Sequence, residues 1–170
     1  MVSKLAKKPA TSQRQKWLKI LAKDAPNSEA GSHKVLIDTN VWISALLYGG
    51  EPERLIRLCK QHHKIVVSEY IVDELLDYLK QIGAPYKWRN SLEKMIKQIC
   101  LLVEPEDLPV ISRDIKDDPV IAAAIVGDCD YLITGDKDLL VLKHVQQIRV
   151  VTPNEFLEIF QSWTLETRNT

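Results

Sequence analysis

Four carboxylates in this chain stand where charge is expensive. Asp38 closes the apolar run Val35-Leu36-Ile37, Glu74 lies in Val72-Asp73-Glu74-Leu75-Leu76, Asp118 precedes Pro119-Val120-Ile121, and Asp136 follows Leu132-Ile133-Thr134-Gly135. Each sits where a strand ends or a helix begins, and an isolated carboxylate in such surroundings is costly unless it meets a cation. The chemistry to which this pattern points is convergence on a divalent metal. Oxygen-only donors of this hardness select Mg2+ or Mn2+ rather than zinc. Two neighbours compete for the same roles, because Asp117 adjoins Asp118 and Asp138 follows Asp136 by two residues. Taken singly, each acid also has a plain structural role open to it: a strand end, a helix cap, a turn, a solvated helix face.

The elements that must position these acids are legible from residue 34 onward, where short β-branched runs alternate with amphipathic stretches, the pattern of βα units around a parallel sheet. Strands are expected at 34–38, 64–67, 101–103, 131–134 and 148–151. Ser68 is placed to cap the helix carrying Glu74, Asp118-Pro119 sets a capping carboxylate before an N1 proline, and Thr152-Pro153-Asn154-Glu155 has capping-box spacing. Gly83-Ala84-Pro85 interrupts two successive helical segments, predicting a helical hairpin at the edge of the sheet. In an open parallel sheet, functional groups gather beyond the carboxyl ends of the strands, so all four acids are able to face one crevice.

Composition narrows the class further. A chain of 170 residues with 23 Lys/Arg against 23 Asp/Glu suits one globular domain with a sizeable core. Cys59, Cys100 and Cys129 are far apart, odd in number and without Cys-x-x-Cys spacing, so neither a disulfide framework nor a zinc site is indicated, and reduced, cytoplasmic thiols are expected. No apolar run approaches the ~20 residues of a membrane span. Charge is unevenly placed: residues 1–34 hold eight Lys/Arg against two Asp/Glu, leaving fifteen against twenty-one in the remainder. A net-acidic body lacks the general Lys/Arg footprint of a nucleic-acid binder and fits a cation site. Within the basic head, Trp17, Leu18 and Leu21 share one helical face, which reads as an RNA-contacting arm, as a helix docked on its own or another subunit, or as a solvated extension. The small-residue stretch 26–32 reads as a linker.

The segments Leu36-Ile37-Asp38-Thr39-Asn40, Asp73-Glu74-Leu75, Asp117-Asp118-Pro119-Val120-Ile121-Ala122-Ala123-Ala124 and Asp130-Tyr131-Leu132-Ile133-Thr134-Gly135-Asp136 together resemble the PIN domain family in order and spacing, over about residues 34–160. The likeness is strongest to bacterial toxin components of type II toxin–antitoxin systems, the VapC-type relatives. It implies a three-layer α/β/α sandwich with a central parallel sheet, Mg2+- or Mn2+-dependent ribonuclease activity, a homodimer and an antitoxin partner. Carried over by position, Asp38, Glu74, Asp118 and Asp136 match the family's acidic quartet as metal-binding and catalytic residues, with Thr39, Asn40 and Thr134 as supporting or substrate-contacting groups. Asp117 and Asp138 are the less favoured alternatives. The expected organisation is a basic helical extension and linker at 1–33, a PIN-like nuclease domain at 34–162 and a tail at 163–170. Competing readings are a non-catalytic signalling or interaction domain on a similar sheet, a phosphatase with an aspartate nucleophile at Asp38, and a housekeeping PIN nuclease without an antitoxin. Asn40 and the stretch Val103-Glu104-Pro105 stand where a phospho-acceptor domain wants acids, and a phosphatase usually wants a second aspartate at the position of Asn40. Outside the quartet, His62-His63 reads as surface polar residues at a helix end, His33 and His144 as solvent-facing, and Trp88 as ordinary helix packing rather than a base-stacking platform.

Overall fold

A computed structural model describes residues 7–22, 33–104 and 118–166. The whole 26–32 linker, Lys23 and Asp117 lie outside the described residues. The central strand β1 (Lys34–Ile37) carries Val35, Leu36 and Ile37, all with no exposed surface. A strand apolar at every position after its first belongs in the middle of a parallel sheet covered on both faces, and β1 occupies that place. The sheet order is β3-β2-β1-β4-β6-β5. β1 pairs in parallel with β2 (Lys64–Ser68) on one side and β4 (Tyr131–Ile133) on the other. β2 continues to β3 (Leu101–Val103), and β4 to β6 (Ile148–Val151), again in parallel.

The sheet is mixed rather than wholly parallel, because β5 (His144–Val145) forms an antiparallel hairpin with β6. This strand went unforeseen for a physical reason. It is two residues long, and its turn uses Gln146 at φ 53° in place of the Asn-Gly or Gly-containing pair that marks a tight hairpin in sequence.

Eight helices are present among the described residues, and the architecture is the expected α/β/α arrangement. α2 (Thr39–Tyr48) leaves β1 directly, and α3 (Gly50–His62) follows after Gly49, whose φ of 71° favours glycine. α4 (Glu69–Gln81) is capped by Ser68, which accepts from the Ile71 N–H. The hairpin predicted from Gly83-Ala84-Pro85 forms between α4 and α5 (Tyr86–Ile99), with Gly83 at φ 78°. α6 (Pro119–Val126) crosses beside the sheet, then α7 (Lys137–Leu140) supplies one short turn after β4. Gly127 ends α6 against β2 so closely that a Cβ there would meet Val66 Cγ1 at 2.7 Å. α8 (Pro153–Glu166) opens with the anticipated capping box, Thr152 N–H to Glu155 Oε2 at 2.7 Å and Glu155 N–H to Thr152 Oγ1 at 3.2 Å. It continues past the boundary expected at residue 162, since no Gly or Pro intervenes to stop it.

Of the three readings of the basic head, docking on its own chain is the one observed. Trp17 has no exposed surface, Ile20 and Leu21 are buried, and α1 (Thr11–Ala22) packs against α2 and α5. Lys60 Nζ bonds the carbonyls of Ile20 and Leu21 at 2.8 and 3.0 Å, satisfying the orphan acceptors at the C-terminus of α1. Trp88 is buried as anticipated, and its indole N–H donates to the Arg14 carbonyl. The histidine pair requires a correction. His62 is exposed, but His63 is 2% exposed, with its ring edge-on to Phe156 and Phe160 of α8. The residue after a helix end turned inward because β2 begins there. His33 is half-buried against Asp130 and Tyr131, whereas His144 is exposed.

Candidate active site

The crevice forms where the chain order reverses. From β1 the chain works outward through β2 to β3, then returns to the other side of β1 as β4, so the carboxyl ends of β1 and β4 diverge into a gap. Asp38 is the first residue past β1, held there by its N–H donating to the Ile133 carbonyl at 2.9 Å. Its side chain is 5% exposed. Thr134, at the matching position past β4 and fully buried, donates its hydroxyl to Asp38 Oδ2 at 2.7 Å and accepts the Asp136 N–H at 2.9 Å. One hydroxyl therefore joins the two strand ends.

Asp38, Glu74, Asp118 and Asp136 all line one cleft of about 370 Å³. Asp118 is also the N-cap of α6, accepting from the Val120 N–H at 2.9 Å and the Ile121 N–H at 3.4 Å. Asp136 caps α7 through the Asp138 N–H at 2.9 Å. The capping role and the cleft position are thus compatible: one carboxylate oxygen serves the helix while the residue still lines the cleft. Glu74 reaches the cleft from α4, on an exposed face. Asn40 lines the cleft as well. Thr39 is buried, with its N–H directed to the Asp38 carboxylate, but it does not line the cleft. Asp138 is exposed and contributes its backbone rather than a lining carboxylate.

Among the described residues, none that lines this cleft carries positive charge. Burial raises the Asp38 pKa above the ordinary carboxylate value, opposed by the hydrogen bonds from Thr134 and Thr39 and reinforced by the negative charges of Glu74 and Asp118. Among the described residues, no three His, Cys, Asp or Glu side chains form a closed set around a single point. The donor chemistry fits a hard divalent ion nonetheless. Mg2+ in particular is held through one or two carboxylates with water and substrate phosphate completing the shell, so a cage of protein ligands is not required.

Tyr70 is the cleft residue that sequence reasoning missed. Its phenol pKa is raised by partial burial, then by the charges of Glu74, Asp118 and Asp38, and by donation of its hydroxyl to Glu74. The spacing contained a signal, because Tyr70 precedes Glu74 by one helical turn, where side chains meet.

With the fold and cleft defined, comparison with known proteins assigns the class. The family model described as PIN domain matches residues 34–138, and the chain belongs to this family of nucleases. An uncharacterized protein of Methanocaldococcus jannaschii is 30% identical, the alignment covering 76% of this chain and 93% of that protein. No solved structure gave a significant match. No described helix is long and apolar enough to cross a membrane.

Proposed function

We propose that this protein is a Mg2+- or Mn2+-dependent endoribonuclease, with Asp38, Glu74, Asp118 and Asp136 as its metal-binding and catalytic residues. The observation that carries this reading is the meeting of four carboxylates, far apart in sequence, in one cleft with no cationic lining residue among the described residues. Such a cleft is stable in its ionised form only with a cation present, and its oxygen donors suit the ions named. When bound, the ion supplies a water of lowered pKa and positive charge against the scissile phosphate. The chain's own groups set up that chemistry. Thr134 stabilises the ionised form of Asp38 and fixes its orientation. Tyr70 remains a phenol donor at neutral pH, positioned to orient Glu74 or meet the substrate. Asn40, exposed at the lip, is placed to hydrogen-bond the incoming strand.

Within this reading we assign the protein the role of toxin in a type II toxin–antitoxin pair, acting as a cytoplasmic homodimer. The support is its resemblance to the VapC-type relatives. Growth arrest on expression, relieved by co-expression of an adjacent gene product, checks that role separately from the chemistry. For the chemistry, purified protein is expected to cut single-stranded RNA with Mg2+ or Mn2+ and to stop on chelation or in Asp38→Asn. Cleavage that survives both treatments overturns the mechanism.

A further inference from the structure

The acidic cleft poses an electrostatic problem for a nuclease. Among the described residues its lining supplies four carboxylates and no cation, whereas a nucleic-acid strand is held chiefly by positive charge against its phosphates. A second groove, of about 720 Å³, has the opposite character. It lies between α1 and α3 and exists because α1 docks on the body. Among the described residues, Lys16, Arg54 and Arg57 line it against a single acid, Glu53. Glu53 is 8% exposed and is engaged by both Lys16, at 2.7 Å, and Arg57, at 3.0 Å, so two cations share one negative charge. Arg54 is exposed and forms no ion pair among the described residues. The groove therefore keeps an excess of positive charge, and Tyr48 stands at its wall with 64% of its surface exposed.

The groove and the cleft are joined by α2. This helix begins beside Asp38 and ends at Tyr48, and its less buried positions Asn40, Ser44, Leu47 and Tyr48 follow the i, i+4, i+7, i+8 spacing of one helical stripe. Asn40 lines the acidic cleft and Tyr48 lines the cationic groove. At 1.5 Å per residue the two lie about 12 Å apart along the helix, a span of a few nucleotides of extended strand.

We propose that the α1–α3 groove binds the backbone of single-stranded RNA, with Arg54, Lys16 and Arg57 meeting phosphates and Tyr48 stacking on a base, and that α2 carries the strand from there into the acidic cleft. The choice of RNA as the polyanion rests on the nuclease reading above. Aromatic stacking beside a cationic groove is the physical pattern of sequence-tolerant single-strand binding.

The test is anisotropy of a labelled oligouridylate with wild-type protein, Arg54→Glu and Tyr48→Ala, in chelator so that no metal bridges the strand to the carboxylates. Both substitutions are at exposed positions, and unchanged thermal unfolding confirms the fold. Wild type is expected to bind with strong salt dependence. Arg54→Glu is expected to weaken binding at least fivefold and to make the salt slope shallower by about one, while Tyr48→Ala weakens binding with the slope unchanged. Failure of wild type to bind, equal binding by all three proteins, or a change in self-association without a change in RNA affinity each overturns the proposal. Cleavage with Mn2+ is measured in parallel. Arg54-dependent binding without cleavage supports the groove and defeats the nuclease reading. Cleavage whose KM is indifferent to both substitutions does the reverse.

Discussion

The Thr134 hydroxyl lies 2.7 Å from Asp38 Oδ2, donating across the gap between the ends of β4 and β1 while the Asp136 N–H donates to it in turn. A buried carboxylate receives here a donor that favours its charged form, and the same oxygen fixes the backbone of a second acid. Thr134→Val removes both functions with little change in volume. The expected result is a large loss of cleavage, a shift of the acidic limb of the pH–rate profile to higher pH, and destabilisation of about 1–3 kcal/mol from polar groups left without partners. Thr134→Ser, which keeps the hydroxyl, is expected to retain activity. Equal behaviour of the Ser and Val variants would refute the positioning role.

Asp38 itself is held at a cost to stability. Its folded pKa is raised, first by burial, with Glu74 and Asp118 adding to the effect. Between the unfolded value of 3.8 and the higher folded value, the native state binds more protons than the unfolded state, so stability falls as pH rises through that window. At neutral pH the ionised group is a liability in the metal-free protein. Asp38→Asn is therefore expected to abolish cleavage and yet raise Tm at pH 7 by roughly 2–4 °C, a trade of stability against function common at such sites. Scanning calorimetry in chelator decides this, and a lowered Tm would show that Asp38 stabilises the fold.

Divalent metal should act as the missing counter-charge. Wild-type protein titrated with Mn2+ is expected to gain about 2.7 kcal/mol at a hundredfold excess over Kd, reversed by chelation. Asp38→Asn and Glu74→Gln are expected to lose most of that gain. A metal-induced rise of the same size in all three proteins would place the ion elsewhere.

At the opposite end of the sheet, His63 makes acid stability testable. Burial, followed by the charges of His33 and His62, lowers its pKa from 6.5 to about 4. The group is neutral when folded and protonates on unfolding, so the unfolded state binds more protons between these values. Stability is therefore flat above pH 6.5 and declines as pH falls toward 4, by on the order of 3 kcal/mol across the window. Urea midpoints at a series of pH values measure this, and His63→Gln is expected to flatten the slope. An unchanged slope in that variant assigns the acid sensitivity to other groups.

The docking of α1 predicts that the basic head is part of the folded unit. Trp17→Ala should destabilise the whole protein by about 3–5 kcal/mol, as for other fully buried aromatic side chains. Lys60→Met, which removes the donor to the Ile20 and Leu21 carbonyls, should cost about 1–3 kcal/mol. A single cooperative transition in both variants, shifted to lower denaturant, is the expected signature. Wild-type stability after removal of residues 1–22 would contradict it.

Local pattern made much of this molecule readable in advance. Period-two and apolar runs located the parallel strands β1, β2, β3, β4 and β6, because hydrophobic burial is imposed residue by residue. Ser68, Asp118-Pro119 and the Thr152/Glu155 box marked helix starts, because a cap is satisfied within a few residues of chain. The four acids were conspicuous for the same reason, each being a charge beside apolar neighbours. The tertiary structure decided what depends on contacts between distant segments. It turned His63 inward against Phe156 and Phe160, seated α1 on Lys60 and Trp88, and paired β5 through a turn with no glycine. It also brought Tyr70 among the carboxylates and joined Thr134 to Asp38 across 96 positions of sequence. A sequence states which groups are costly to leave alone; which partner relieves each cost is settled only when the sheet order brings the strand ends side by side.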